Sequence, residues 1–339
     1  MPIFLKHFYG RFYRDSETLE NISTFINNID KHPWKAGFSD KFDPTKQASD
    51  YKYLLGVLDE SFDLNIRNEN IYQQSELPDE YDPRIEHPEC PTISQIRDQS
   101  SCGSCYAFGA AEALSDRFCI ASKGEINIEL SAQDILACCL DCGVGCGGGW
   151  IASTWHHLNS KGIHTGGLYN GTGCMPYEYP PCQHSNSKAS GLELCSDQEI
   201  SLPTCKSSCT DRSSFSSTFL TNQVYKVGSQ IESKRAEIIQ REIFEFGSVE
   251  AAFSVYSDFL TYKSGVYVHT TGSYQGGHAV KIIGWGVDSE SGLDYWLVAN
   301  SWNTFWGEDG FFRIKRGNDE CGIESKIYAG VPNLASVRL

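Results

Sequence analysis

The chain has 339 residues and carries 28 basic against 43 acidic side chains, a formal net charge of −15. This acidic balance argues against a nucleic-acid-binding protein, and no apolar run is long enough for a transmembrane helix. A chain of this length can form one large domain or two smaller ones, each with its own hydrophobic core.

Fourteen cysteines are present, and all of them lie between Cys90 and Cys321. Such a dense, even set favours a disulfide framework and an oxidising compartment. Glycosylation motifs at Asn21 and Asn170 agree with secretion. The apolar stretch 2–5 is too short for the core of a signal peptide. We therefore expect that the true start is missing or that the chain is exported in another way.

Residues 1–76 are polar, with helical patches. The segment 16–30 has apolar residues at helical spacing, which predicts a helix. Residues 77–91 are rich in proline and acidic side chains and are typical of a linker followed by an extended start. A longer helix is predicted from Cys105 onward, because apolar side chains recur at three and four residues: Phe108, Ala111, Leu114 and Phe118.

Beyond the helix that begins at Cys105, the chain continues with a second helix and a loop region and then becomes rich in strand patterns. A helix is predicted from the N-cap Ser131 to about Cys138, and residues 142–210 are predicted to be a long loop region held by disulfides. Residues 233–247 are amphipathic and end in a glycine. Residues 248–256 alternate as in a strand, and further strand patterns follow. The chain is therefore predicted to have a helical, cysteine-rich half followed by a strand-rich half.

The motif QSSCGSCYAF (99–108) places Cys102 and Cys105 three residues apart. Such a pair can be a redox couple, half of a zinc site, or a disulfide partner beside a reactive thiol. Zinc would need a second pair such as Cys139/Cys142, but the adjacent Cys138 and the nearby Cys146 fit a disulfide knot better. Cys105 begins a predicted helix, whose N-terminus lowers the pKa of a thiol. The alternative that both cysteines are bridged stays open on these residues alone.

A nucleophilic cysteine also needs a base and a group that orients the base. His278 follows two glycines in GGHAV, at the entry of a predicted strand. Asn300 is a polar residue that interrupts the apolar run VANSW and is followed by Trp302. When His278 and Asn300 are each taken singly, packing and turn chemistry explain them better than a catalytic role does.

Taken together and in this order, QSSCGSCYAF, GGHAV and NSWNTFWG resemble the papain-like cysteine proteases. The wide spacing between the cysteine and histidine motifs requires an insertion, and PPCQHSNSK (180–188) with its following cysteines is similar to the occluding loop of cathepsin B. SDRFCI, SVYSDFLTYKSGVY and CGIES carry the same resemblance, over residues 77–333. It implies an α+β fold of two lobes, one helical and one β-barrel-like, with the active-site cleft between them.

The resemblance also implies roles for individual residues. Cys105 is the expected nucleophile and His278 the general acid and base, forming a thiolate–imidazolium pair. Asn300 would orient the imidazole, Trp302 would shield that contact, and the Gln99 side chain would donate to the oxyanion hole. Substrate is expected to bind at the following residues: Gly148, Gly149, Trp302, His184, and Glu324, whose match to an acid at the base of the S2 pocket implies acceptance of arginine. No cofactor and no metal are expected.

A disulfide scheme comes with the resemblance. The implied pairs are Cys90–Cys119, Cys102–Cys146, Cys138–Cys205, Cys139–Cys142, Cys174–Cys209 and Cys182–Cys195. Cys105 and Cys321 would then remain as thiols, with Cys321 inert.

The resemblance further implies three regions. Residues 1–76 would be an inhibitory propeptide, because HPWKAGFSDKF (32–42) is similar to the segment that anchors such propeptides. Residues 77–210 would form the helical lobe, including an occluding-like loop at 182–195, and residues 211–339 the β-rich lobe. Expected partners are peptide and protein substrates, the propeptide itself and cystatin-like inhibitors, with no nucleic acid and no membrane. The expected location is lysosomal or secreted.

Two positions depart from the cathepsin B pattern. The second histidine of the loop is replaced by Ser185, and an acid that clamps the loop is replaced by Phe305. These changes predict an open loop, endopeptidase action and reduced release of dipeptides from C-termini, with a His184–Asp98 pair as the remaining closure and Gln183 or Lys188 as alternative compensation. The competing hypotheses are a non-catalytic binding protein of papain fold and a disulfide-rich structural protein.

Overall fold

Among the α-helices of the described residues, some begin or end at a signal in the sequence. The computed structural model describes residues 17–186, 190–195, 202–215 and 218–337. The Ser131 hydroxyl accepts the Asp134 N–H and starts the fourth helix as predicted, while Gly247, with φ +97°, ends the sixth. The helices in these ranges are α1 (Leu19–Asn27), α2 (Pro83–Glu86), α3 (Cys105–Ala121), α4 (Ala132–Cys138), α5 (Ile151–Ser160) and α6 (Arg235–Phe246).

Eight strands of the described chain form one mixed sheet in the order β1-β4-β7-β6-β5-β3-β8-β2. All neighbours are antiparallel except β4 and β7, which are parallel. Strand β1 comes from the region before residue 77 and adds an edge to the later sheet. The strands are β1 (Trp34–Ala36), β2 (Thr221–Val227), β3 (Val249–Tyr256), β4 (Tyr262–Tyr267), β5 (Tyr274–Val287), β6 (Asp294–Ala299), β7 (Phe311–Lys315) and β8 (Lys326–Pro332).

Helix α3 lies at the centre of the molecule. Every residue from Cys105 to Cys119 is buried, because α4 and α5 cover one side and strands of the sheet cover the other. Its polar side chains therefore need partners. Lys281 of β5 binds Asp116 at 2.8 Å, and Arg117 binds Glu242 of α6 at 2.7 Å. The amphipathic pattern predicted one buried face, and the tertiary packing buries nearly all of them.

Two large hydrophobic clusters divide along this boundary. The helical cluster gathers α3, α4 and α5 around Leu114, Leu136 and Trp155. The other gathers the sheet, α6 and α1, with Phe259, Trp296 and Phe312 among its members. Within the described ranges, no helix is both long and apolar enough to cross a bilayer.

Six disulfides fix the loops of the cysteine-rich half. They are the pairs that the resemblance implied, with Cys105 and Cys321 left as thiols: Cys90–Cys119, Cys102–Cys146, Cys138–Cys205, Cys139–Cys142, Cys174–Cys209 and Cys182–Cys195. Cys102 is thus bridged, whereas Cys105, three residues away, is not.

Candidate active site

Cys105 is the first residue of α3 and is completely buried. Its sulfur accepts the Gly56 N–H at 3.2 Å. The N-terminal end of a helix favours an anionic sulfur, because the amide dipoles point their positive ends toward it. The position therefore suits a nucleophile, although residue 56 covers it.

His278 lies in β5, immediately before Ala279, whose backbone lowers the pKa of the Cys105 thiol. Its Nε2–H donates to Asn300 Oδ1 at 2.8 Å, and the same oxygen accepts the Ser301 N–H. Trp302 stacks on the imidazole at 4.7 Å between ring centroids. With Nε2 protonated, Nδ1 of the neutral ring is an acceptor, and it has no hydrogen-bond partner in the described part of the chain. This nitrogen is therefore available to a thiol proton.

Gln99 is completely buried three residues before the bridged Cys102. Its Nε2 donates to the carbonyl oxygens of Leu54, at 2.9 Å, and Cys102, at 2.6 Å. Its Oε1 accepts the Ser301 hydroxyl at 2.7 Å, which fixes the amide orientation. A fixed N–H that already holds a peptide carbonyl is the arrangement that an oxyanion hole requires.

Burial keeps the Cys105 and His278 side chains neutral in this form. It raises the pKa of the Cys105 thiol to about 11, although hydrogen bonds from Ala279 and Gly56 oppose the rise. It lowers the pKa of His278 to about 4, against the effect of Asn300. Both shifts favour the neutral thiol and the neutral imidazole in the form in which the N-terminal segment covers the site.

The N-terminal segment 54–58 lies across the site as an extended peptide. Gly149 donates its N–H to Gly56 O at 2.8 Å and accepts the Leu58 N–H at 2.9 Å, while the Val57 N–H donates to Gly277 O. Gly148, with φ +109°, lies beside Leu58. The segment thus occupies the backbone positions expected for substrate. It presents the Gly56 N–H, and not a carbonyl carbon, to the sulfur.

One residue predicted to bind substrate is buried. Glu324 is only 4% exposed, and its carboxylate accepts the Trp296 Nε1–H and the backbone N–H groups of Gly317 and Asp319. In this form the carboxylate is hydrogen-bonded inside the protein, and the reading of a substrate arginine by Glu324 stays a prediction. Sequence alone gave no measure of that burial.

The predicted His184–Asp98 pair is also not formed. Asp98 binds Lys41 Nζ at 2.8 Å in a buried ion pair, and it accepts from Asn303 as well. His184 instead contacts the hydroxyl of Tyr53, and its backbone N–H donates to Lys41 O. The N-terminal segment thus takes both partners of the expected closure. Lys188 lies outside the described residues.

Lys41 and Gly56 are site residues that the sequence interpretation missed. Lys41 lies in the quoted stretch 32–42, but nothing in the pattern pointed to a buried cation. A Cβ added at Gly56 would lie 1.8 Å from Gly103 O, so only glycine fits this crossing. The buried cation at residue 41 and the need for glycine at residue 56 cannot be inferred from the local sequence, because each depends on a residue that is distant in the chain.

Among the described residues, one group of side chains has the residue types and the spacing of metal ligands. The sulfurs of Cys139 and Cys142 and a ring nitrogen of His157 lie within 4.8 Å of one another. The two sulfurs are joined as a disulfide. Neither can therefore act as a thiolate ligand in this form.

Comparison with known proteins gives the same family throughout. Residues 77–331 match the model of the papain family cysteine protease. Cathepsin B-like cysteine proteinase 6 of Caenorhabditis elegans is 50% identical, covering 77% of this chain and 68% of its own length. A cathepsin B-like cysteine proteinase of Schistosoma japonicum is 43% identical, covering 94% of this chain and 93% of its own.

Solved structures agree with the sequence relatives. Procathepsin B S9 from Trypanosoma congolense has a TM-score of 0.78 at 33% identity, covering 92% of this chain and 98% of its own. A digestive procathepsin L2 from Tenebrio molitor, 21% identical with a TM-score of 0.64, covers 93% of this chain and 87% of its own and shows the shared fold. The relatives named here are proteinases or their precursors, and they give no support to a non-catalytic binding protein.

Proposed function

The chain belongs to the papain family of cysteine proteases and is a cathepsin B-like zymogen, and on that premise we propose that Cys105, His278, Asn300 and Gln99 form its catalytic centre. The observation that carries this proposal is the peptide already in the site. The Leu54 carbonyl accepts from Gln99, and the Gly56 N–H lies 3.2 Å from Cys105 Sγ. A substrate in the same groove would bring its scissile carbonyl to the same two groups.

The proposed reaction begins once the N-terminal segment has left. Water enters the cleft, the burial that holds both groups neutral decreases, and the Cys105 proton passes to His278 Nδ1. The thiolate attacks the peptide carbonyl, and the oxyanion accepts from Gln99 Nε2 and the Cys105 backbone N–H. The imidazolium then protonates the leaving amine, and water hydrolyses the thioester. Asn300 holds the ring, and Trp302 shields that hydrogen bond.

We propose residues 1–76 as the inhibitory propeptide, 77–210 as the helical lobe and 211–339 as the β-rich lobe. Three observations support this division: strand β1 adds to the sheet edge, Lys41 binds Asp98, and segment 54–58 fills the cleft. The peptide is held in a non-productive way, since an N–H group replaces the scissile carbon at the sulfur. Residues 1–16 lie outside the described residues.

We propose an endopeptidase with reduced dipeptide release, because Ser185 and Phe305 replace the groups expected to grip a C-terminal carboxylate and clamp the loop. Peptides and proteins are the proposed substrates, and cystatin-like proteins the proposed inhibitors. A lysosomal or secreted enzyme agrees with six disulfides. Nucleic acid and membranes are not among the proposed partners.

Active-site titration with a thiol-directed peptidyl inhibitor tests the catalytic centre. The full chain should react slowly, and the enzyme freed of residues 1–76 should bind one equivalent as its peptidase activity disappears. Cys105→Ala should bind none. Cys321→Ala is the matched control and should behave as the parent, because burial raises the pKa of Cys321 well above its ordinary value. Labelling of Cys105 without loss of activity would contradict the proposal.

A further inference from the structure

Three carboxylates of the proposed propeptide, just beyond the residues that cover Cys105, bind one region of the enzyme. Asp63 binds Lys226 Nζ at 2.8 Å and accepts the Tyr328 hydroxyl at 2.8 Å. Asp59 lies 3.5 Å from Lys326 Nζ. Glu60 accepts the Ala152 N–H and the Ser153 hydroxyl at the start of α5. The chain has a net charge of −15, yet this one region of the enzyme binds three carboxylates.

Strand register places the two lysines on one face of the sheet. Lys226 of β2 pairs with Tyr328 of β8, and Lys326 lies two residues before Tyr328, so the three side chains share a face. Lys326 pairs with Ala252 of β3, which in turn pairs with Ala279, the residue after His278. Lys326 in β8 therefore lies two strands away from β5, the strand that carries His278.

These side chains line a pocket that continues from the cleft. Its walls include Ile151, Lys226, Lys326 and Tyr328 from the enzyme and Val57 and Leu58 from the propeptide. Val57 is the residue held between the two backbone hydrogen bonds of Gly149, one step from Gly56 at the sulfur. In a substrate, the residue that corresponds to Gly56 carries the carbonyl that is cut, and the residue that corresponds to Val57 is the one before it. The pocket therefore receives the second side chain on the N-terminal side of the cut.

The pocket keeps a positive charge after the propeptide leaves. Among the described residues, Lys326 forms an ion pair with Asp59 and Lys226 forms one with Asp63, and both acids belong to the proposed propeptide. Glu250 pairs with Tyr328 in register, but burial raises its pKa well above the ordinary value and keeps it neutral. Glu324, the acid expected to accept arginine, is used by Trp296 and two backbone N–H groups.

We infer that Lys326, supported by Lys226 and the Tyr328 hydroxyl, makes this pocket a subsite for acidic side chains. The enzyme then prefers aspartate or glutamate over arginine at the second residue before the cut. This inference rests on the proposed function, because it needs a peptide in the cleft that propeptide residues 56–58 now occupy. The acidic propeptide residues bind there through the same charge complementarity.

The test uses mature enzyme and three fluorogenic peptides that differ only at this residue: glutamate, leucine or arginine. The glutamate peptide should have a kcat/KM at least about fivefold above the arginine peptide at low salt, and the ratio should shrink as ionic strength rises. Lys326→Glu should reverse the order. Lys161→Glu, which makes the same charge change at an exposed position after α5, should leave the order unchanged.

The leucine peptide separates the two proposals. If it is cleaved but arginine is preferred over glutamate, or if Lys326→Glu leaves the ratio unchanged, the acidic subsite is overturned and the protease stands. If none of the three peptides is cleaved by enzyme freed of residues 1–76, both proposals are overturned. Because Lys326 is half exposed, Lys326→Glu should fold, and a circular dichroism spectrum like that of the parent verifies this.

Discussion

At the scale of single residues, the site depends on groups whose hydrogen bonds allow only one arrangement. Asn300 Oδ1 accepts two N–H groups, from His278 and from Ser301. An oxygen can only accept here, so the imidazole must carry its proton on Nε2 and leave Nδ1 unprotonated. Gln99 is fixed in the same way, through Ser301 on its oxygen.

Replacing Asn300 by alanine should lower kcat/KM of the mature enzyme by about a hundredfold. The Nε2–H would lose its acceptor in a buried place, so the ring would spend less time with Nδ1 toward the sulfur. The lower limb of the pH–rate profile should also shift. Asn159→Ala, in helix α5, removes an amide that bonds Thr221 and serves as the control. Equal losses in the two variants would indicate a folding defect and contradict the orienting role.

Gly56→Ala should weaken autoinhibition. The new Cβ would lie 1.8 Å from Gly103 O, a backbone atom that cannot move aside cheaply, so the segment must lift from Cys105. Overpacking of this kind costs about 1–3 kcal/mol, so activation of the full chain should become about tenfold faster at a fixed pH.

Gly37→Ala is the matched control in the same segment. The atoms nearest to its added Cβ would be Cβ and Cγ of Lys263, at 3.1 Å, a contact that needs a shift of only a few tenths of an ångström. Activation of this variant should match that of the parent. A Gly56→Ala chain that activates no faster than Gly37→Ala would show that the close crossing is not needed for inhibition.

At the scale of elements, the loop closed by Cys182–Cys195 is hydrogen-bonded to the N-terminal segment. The N–H groups of His184 and Ser185 donate to the carbonyls of Lys41 and Asp40. Lys41 itself is completely buried against Asp98. A buried ion pair that loses one partner costs about 3–5 kcal/mol, so the N-terminal segment is held firmly at Asp98, next to its hydrogen bonds with the loop.

Restoring a second loop histidine should restore C-terminal dipeptide release. In Ser185→His, an imidazole beside His184 can hold a substrate carboxylate, so the ratio of dipeptide release to endoproteolysis should rise by about fivefold. The measurement compares a peptide with a free C-terminus and its amide. Asn186→His adds the same group at the next position, which is exposed, and should leave the ratio unchanged. A parent enzyme that already releases dipeptides efficiently would refute the proposed specificity.

At the scale of the whole molecule, the propeptide is bound through groups whose protonation differs between the covered and open forms. Burial and Lys41 lower the pKa of His184 to about 4, against the effect of Asp98. Burial opposes ionisation of Asp63, yet hydrogen bonds from Lys226 and Tyr328 lower its pKa. Both shifts mean that the bound form holds fewer protons than the separated one, so acid favours separation.

The affinity of the propeptide for the enzyme should therefore decrease as the pH is lowered. The ordinary pKa of histidine is about 6.5, so the contribution of His184 is fully present above that value. It is lost as the pH falls toward about 4, by up to about tenfold per unit. Inhibition of mature enzyme by added residues 1–76, measured from pH 7 to pH 4, should weaken accordingly, and His184→Gln should flatten the slope. His87→Gln, outside the cleft, is the control. An affinity that rises in acid would contradict this mechanism.

The sequence by itself determined the catalytic chemistry. The cysteine, histidine and asparagine motifs are short, and the properties they encode are local: a thiol at a helix start, an imidazole in a strand, an amide in an apolar run. Helix α4 with its Ser131 cap and the helix before Gly247 were predictable for the same reason, because caps depend on neighbouring residues.

Only the tertiary structure decided what each charged group faces. Glu324 is enclosed by Trp296 and two backbone N–H groups, and Asp98 binds Lys41 in place of His184. The burial that favours neutral forms of Cys105 and His278 also involves a segment, residues 54–58, that is distant from both in the chain. Electrostatic energies depend on distance and burial in space, which a linear pattern of residues does not contain.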